Sequence, residues 1–260
     1  MSVEEGMRKA FIHYFADDGY NFDGREDPIK PRQDFPKQPA PEGQPRYQLD
    51  WFPVYTDMAA AGDMGLNTGP FLVVDLSGEN PSSHGYFFSI WERQADGTWR
   101  VTVDIGTSSA VPNAEQKALS WTTPAPSGYT ASLPVEHSRE IDDLRKHEFA
   151  FVAAISDNGI AKGYGMYLHS EARLHRDGIF PVMGEGKIAR YLSAIEGRLS
   201  WQPTLVKVSS SGDLGYSWGK YRANHTSMTS PRGHYCHVWK RNSDGEWKLV
   251  ADIQYPIAPP

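Results

Sequence analysis

From Ile141 onward the apolar positions recur first at helical and then at strand spacing. In IDDLRKHEFAFVAAISDNG, Leu144, Glu148, Phe151, Val152 and Ile155 recur on one helical face, and Gly159 is a stop signal. AKGYGMYLHSEARLHRDG reads as a second short helix or an extended piece. GEGKIARYLSAIEG then puts Ile188, Tyr191, Leu192 and Ile195 on one stripe, which predicts a third helix. After it the pattern turns to strands. TLVKVSS, LGYSWGKYRAN, GHYCHVWKR and EWKLVADIQ are rich in β-branched and aromatic residues, and the Asp-Gly of SDGE marks a hairpin. Helices followed by an antiparallel sheet predict an α+β domain with its helices on one face.

The same pattern occurs earlier in the chain. SGDLGYSWGKY (211–221) aligns with AGDMGLNTGPF (61–71) at an offset of 150, and LSWQP (199–203) aligns with LDWFP (49–53). SPRGHYCHVWKRNSDGEWKLVADI (230–253) aligns with SSHGYFFSIWERQADGTWRVTVDI (82–105) at 148, and further back Gly159 pairs with Gly6 and Pro181 with Pro28 at 153. The drifting offset reflects loop insertions between two copies of one unit of roughly 110–120 residues, an ordinary domain size. The repeat also answers a motif. GYSWG (215–219) matches the G-x-S-x-G nucleophile elbow, but the first copy has Asn67 where the second has Ser217, and a strand follows rather than a helix. Gly215 and Gly219 then read as backbone features of a bent strand.

This order of elements, with Gly-Asp-Leu-Gly-Tyr and Gly-His-Tyr followed by Val-Trp-Lys-Arg and Asp-Gly-Glu-Trp-Lys, resembles the nuclear-transport-factor-2-like (NTF2-like) superfamily of cystatin-like α+β cones. Within it the chain is similar to the SnoaL-like group and to domain-of-unknown-function family 4440. The resemblance implies two tandem cones, each with N-terminal helices packed on a curved antiparallel sheet around an apolar cavity. Residues 1–107 are expected to form a degenerate, N-terminally short first cone. Residues 108–138 form a Pro- and Ser-rich linker with Trp121 as an anchor, and 139–260 a complete second cone. The superfamily spans isomerases, dehydratases, cyclases and proteins without known chemistry, so the fold does not choose a function.

The copies differ in equipment. Where the second has GKIARYLSAI, the first has Pro31, Pro36, Pro39, Pro41 and Pro45, which cannot occupy a helix interior. Any working pocket is therefore expected in the second copy. Few residues precede Gly6, so an upstream segment, even an export signal, is a further expectation, with Met1 a misplaced start; an N-terminus sequenced at Met1 or Ser2 in the native protein would refute it.

Composition narrows the partners. The chain has 260 residues, 39% hydrophobic and 12% aromatic, and carries a net charge of -6 with no basic run, which argues against nucleic acid. No apolar stretch approaches the roughly 18 residues of a membrane span, and MSVEEGMRKAF lacks the basic start and apolar core of a signal peptide. One cysteine, Cys236, rules out an internal disulfide and leaves the compartment open. Gly184-Glu-Gly186-Lys187 lacks the Ser or Thr and the spacing of a phosphate loop, so no cofactor is expected.

Strand alternation places His234, Cys236 and Val238 on one face of GHYCHVW and Tyr235, His237 and Trp239 on the other. The first set is assigned to the cavity. Trp239 and Trp91 then line an outer face where the copies pack as a covalent pseudo-dimer, alone or within a larger homo-oligomer. His234 and His237 point apart, so no metal site is expected.

The acid-base candidates are Glu171, in the apolar context MYLHSEARL beside His169 and His175, and Asp252, which ends the last strand as Asp104 does in the first copy. His234 is a candidate oxyanion partner. The plainer alternatives are an exposed Asp252, a Glu171 solvated or paired with Arg173 or Arg176, and a His234 satisfied in the core. Tyr164, Tyr167, His169, Tyr191, Tyr216, Trp218 and Cys236 are candidate ligand contacts. Three readings stand: a binding protein for a small apolar or aromatic molecule, an isomerase-, dehydratase- or cyclase-type enzyme, and a structural module with a filled core.

Overall fold

A computed structural model describes residues 5–38, 46–111, 136–225 and 230–258. Most of the expected linker, with Trp121, and the prolines Pro39, Pro41 and Pro45 lie outside them. The chain divides into two compact units, Met1–Met58 with Gly62–Pro124 and Gly178–Phe180, and Ala59–Ala61 with Ala125–Asp177 and Pro181–Pro260.

The first unit runs α1 (Met7–Tyr14), β1 (Phe15–Phe22), α2 (Pro31–Asp34), β2 (Tyr47–Trp51), β3 (Tyr55–Met58), β4 (Met64–Asp75), β5 (Ser83–Arg93) and β6 (Trp99–Ser109). Its sheet has the order β1-β6-β5-β4-β2, with β3 also on β4. The proline-rich stretch is not wholly without helix. Pro31 opens the four-residue α2 at a position where its missing N–H costs nothing, and a 3₁₀ turn at Phe35–Lys37 follows.

The second unit runs α3 (His137–Asn158), α4 (Ile160–Gly165), β7 (Leu168–Arg176), β8 (Val182–Met183), α5 (Glu185–Ser193), β9 (Gly197–Val208), β10 (Leu214–His225), β11 (Arg232–Arg241) and β12 (Trp247–Pro256). Its sheet order is β8-β7-β12-β11-β10-β9. The segment read as short helix or extended piece is both, α4 and then β7. Its strand pairs with β12 in parallel, as β1 pairs with β6, so each sheet is mixed where an antiparallel one was expected. Helices intervene between these paired strands in sequence, and a parallel pair requires such a long connection.

Local chemistry explains these elements. Leu144, Glu148, Phe151 and Ile155 form the buried stripe of α3. Gly159, at φ 84°, ends α3 and starts α4 in a conformation that disfavours a side chain, and Gly6 adopts the same backbone before α1. The interior of the second unit is filled with rings. Phe151 stacks on Trp201 at 5.3 Å between centroids and meets Tyr164, His237 and Trp239 edge-on at 5.0–5.5 Å.

Candidate functional site

A continuous set of buried polar groups crosses the interior of the second unit. Its centre is Glu148, one helical turn from Leu144 on the buried face of α3 and 1% exposed. Ser217 on β10 donates to Glu148 Oε1, Trp239 Nε1 donates to the same oxygen at 2.6 Å, and His237 Nδ1 lies 3.1 Å from Oε2. On its other side His237 Nε2 stands 3.6 Å from Asp252 Oδ1. Register makes these meetings: Ser217 pairs with His237 across β10 and β11, and His237 with Asp252 across β11 and β12. Cross-strand partners share a face, so one face brings three polar side chains under one helix.

The set continues to Arg176 on β7. Its guanidinium holds Asp252 with Nη2 to Oδ2 at 2.7 Å and Nη1 to Oδ1 at 3.2 Å, while the Tyr164 hydroxyl donates to Oδ2 at 2.6 Å. The fork geometry of arginine suits such a pair.

Electrostatics within the set are mutual. Burial opposes a charge on His237, but Glu148 and Asp252 outweigh it and raise its pKa to about 9. Burial would raise Glu148, yet His237, Ser217 and Trp239 together hold it below its ordinary value. Burial likewise opposes ionised Asp252, and Arg176 and His237 hold it low. At neutral pH the set contains two carboxylates, one guanidinium and one imidazolium, a balance that buried charges require.

Beside Arg176 lies a cavity of about 20 Å³ lined by Ile160, Leu192, Ile195 and Leu199, with Tyr191, Arg176 and Gln254 as its side chains that carry polar groups. Gln254 pairs with Arg176 across β12 and β7 and sits two residues beyond Asp252, on the same face. A separate open cleft of about 470 Å³ is lined by Asp143, His147, Met166, Tyr167, Arg241 and the Gly245–Lys248 turn. Among the described residues no group of three His, Cys, Asp or Glu side chains is placed to hold a metal ion.

The sequence candidates are distributed as follows. Asp252 is buried in the network rather than exposed at a strand end. Glu171 is exposed on β7, and its backbone N–H donates to His169 Nδ1 at 3.2 Å; Arg176 pairs with Asp252 instead. Tyr164 joins the network, Tyr191 lines the cavity and Tyr167 lines the open cleft. His234, Cys236, Tyr216 and Trp218 are buried together on the face turned away from Glu148.

The assignment of strand faces is therefore reversed. Tyr235, His237 and Trp239 face the helix, and Trp239 is buried against α3 of its own unit rather than on an outer face. Both faces of β11 are buried, so alternation separated the two sets without saying which one met the helix. Glu148, Arg176, Ser217, His237 and Gln254 were missed as site residues. The available signal was a carboxylate at a stripe position of an otherwise apolar helix face, which demands buried donors.

The first unit shows what the network replaces. Trp91, the counterpart of Trp239, donates from Nε1 to Asn67 Oδ1 at 3.2 Å, so the amide at the Ser217 position supplies the acceptor that Glu148 supplies in the second unit. Asp104 accepts from Ser89, at the His237 position, at 2.5 Å and from Asn21 at 3.3 Å. At the repeat offset Asp23 replaces Arg176, so among the described residues Asp104 has no guanidinium partner, and burial pushes its pKa up to about 6 against those two bonds.

No family model matches the chain, and no curated protein matches it. Among solved structures it is similar to a ketosteroid isomerase-like protein from Erwinia carotovora atroseptica, at 13% identity over 46% of this chain and 98% of that one, with a TM-score of 0.39. An NTF2-like protein from Cytophaga hutchinsonii is 20% identical over 45% and 97%, at 0.37. A cystatin-like-fold domain of unknown function from Nostoc punctiforme is 14% identical over 47% and 80%, at 0.39. These carry the fold names that the sequence resemblance implied, each over a little under half of the chain, while the architecture of two α+β units rests on the strand pairings themselves.

Proposed function

We propose that the second unit is a binding domain for a small, largely apolar molecule, taken up between α4, α5 and β9 without proton transfer. The cavity beside Arg176 carries this reading, because it has the apolar walls and few polar groups of a ligand site. Its volume is far below the roughly 300–1,000 Å³ of typical ligand pockets, so uptake requires α5, a nine-residue helix, to move outward. Binding is favoured over acid-base catalysis because Glu148, His237 and Asp252 are not among the residues that line the cavity, and both carboxylates are already paired within the buried set. One observation favours the structural reading instead: aromatic rings already fill the interior.

A thermal-shift screen with small apolar acids, ketones, epoxides and steroid-like compounds separates the two. A ligand at 100 times its Kd adds roughly 2.7 kcal/mol, which moves the midpoint by several degrees. The expected result is a shift in the native protein that is lost in Ile195→Arg, a substitution at a half-buried lip of the cavity. A shift that survives Ile195→Arg puts the ligand elsewhere and sinks the reading; silence across the panel favours the structural module.

A further inference from the structure

The aromatic face of the sheet is dressed differently in the two units. In the second unit α3 covers it. Phe151 packs on Trp201, Tyr164 and Trp239, Asp143 accepts from Trp247 Nε1 at 3.1 Å, and Glu140 and Asp143 hold the Arg241 guanidinium at 2.6 and 2.8 Å. At the repeat offsets the first unit has Trp51, Phe11, Trp91, Trp99 and Arg93 in these places. Among the described residues no counterpart of α3 covers them. Trp51 is 45% exposed where Trp201 is 5%, and Trp99 is 37% exposed where Trp247 is 3%. Trp91 and Phe11 are half-buried where Trp239 and Tyr164 are fully buried. Arg93 donates from Nε to the Gly97 carbonyl at 3.4 Å, and no carboxylate among the described residues pairs with it.

Exposed tryptophans beside an arginine are the composition of a protein-binding anchor, and the second unit supplies the form of what fits. From Trp99 on β6 to Trp51 on β2 the set crosses three strand spacings, roughly 14 Å. A helix rises about 12 Å over the eight residues from Asp143, which meets Trp247, to Phe151, which meets Trp201. One position must differ from α3. Glu148 is satisfied by Ser217, His237 and Trp239, whereas in the first unit the Trp91 indole is taken by Asn67 and Ser89 by Asp104. A carboxylate at that point would be buried without donors. Arg93 and the exposed Trp99 indole, by contrast, call for acceptors such as Glu140 and Asp143 supply in the second unit. We propose that the open face of the first unit binds an amphipathic helix of another polypeptide. That helix carries two carboxylates one turn apart near its N-terminus, for Arg93 and Trp99, and then an uninterrupted apolar stripe for Trp91, Phe11 and Trp51.

The test titrates the full chain with fluorescently labelled peptides. The probe is the His137–Asn158 sequence carrying Glu148→Leu. One control is the unchanged sequence, and the other is the probe with Glu140→Gln and Asp143→Asn added. The probe is expected to bind and to shift the indole resonances of Trp51, Trp91 and Trp99. The unchanged sequence should bind at least about fivefold more weakly, the smallest effect of burying a polar group without a partner. The peptide without the two carboxylates should also bind more weakly, and its affinity should vary less with salt. Trp51→Asp, at an exposed position of β2, should abolish binding; if that variant does not fold, the indole shifts in the native protein locate the site alone. Failure of the probe to bind, binding that survives Trp51→Asp or leaves these indoles unmoved, and equal binding of the unchanged sequence each overturn the proposal. So does a shift of the same indoles when the protein alone is concentrated, because a second copy then covers the face.

Discussion

At the scale of single residues, Glu148 is the organising group. It accepts from Ser217 and Trp239 and faces His237, so Glu148→Ala leaves an imidazolium and two donors buried without an acceptor. Breaking a buried pair from one side costs about 3–5 kcal/mol, and urea unfolding should show a loss of that order. Glu148→Gln should cost less, because an amide oxygen can still take the indole bond, as Asn67 does for Trp91. His237 adds a pH dependence. Its pKa rises from 6.5 to about 9 on folding, so its contribution is complete below about pH 6.5 and is lost as pH rises through 9. Glu148 and Asp252 act in the opposite sense: their contribution is present at neutral pH and is lost in acid. Histidine-resolved NMR should give His237 an apparent pKa near 9, and His237→Gln should flatten the alkaline limb of the stability curve.

At the scale of elements, β10 shows how a motif can be explained without its usual chemistry. A Cβ at Gly219 would collide with the Gln202 carbonyl oxygen, and the β10–β9 register slips between Trp218 and Gly219. The glycine permits a close backbone approach at a bulge. Gly69 meets the Phe52 carbonyl oxygen in the same way. Ser217, between the two glycines of the elbow-like pattern, points at Glu148 from the middle of a strand. Gly219→Ala is therefore expected to destabilise the protein by about 1–3 kcal/mol, measured by denaturant midpoint. Ser217→Ala, by contrast, removes one donor to a carboxylate that keeps two others. The strand patterns, the hairpin at Asp244-Gly245 and the helices α3 and α5 of the second unit were legible from periodicity, while the segment of α4 and β7 left helix and extended piece open. The parallel return of β7 to β12 was not, because pairing between distant strands leaves no local pattern.

At the scale of the whole molecule, duplication has left the counterpart aspartates of the two units, Asp104 and Asp252, with opposite responses to acid. Asp104 has its pKa raised from 3.8 to about 6, so the folded first unit holds that proton more tightly than the unfolded chain, and stability falls as pH climbs through this window. Asp104→Asn should remove that slope and leave the first unit more stable at pH 7. Calorimetry from pH 4 to 10 should show one component whose slope with pH below about 6 is removed by Asp104→Asn and another whose slope between about 6.5 and 9 is removed by His237→Gln. A single component altered equally by both substitutions would contradict this assignment.

Sequence alone determined the repeat, the α+β class, the inequality of the two copies and the placement of most helices and strands. These follow from local periodicity and from residue identities compared at a fixed offset. It also singled out Asp252 and Tyr164, but as isolated candidates. Only the tertiary structure decided that Glu148, His237, Asp252 and Arg176 form one balanced set and that Glu171 stands outside it. The physical reason is that β11 is buried on both faces. Alternation sorts its side chains into two groups, and only the packing of α3, with its carboxylate in need of donors, selects which group becomes the interior.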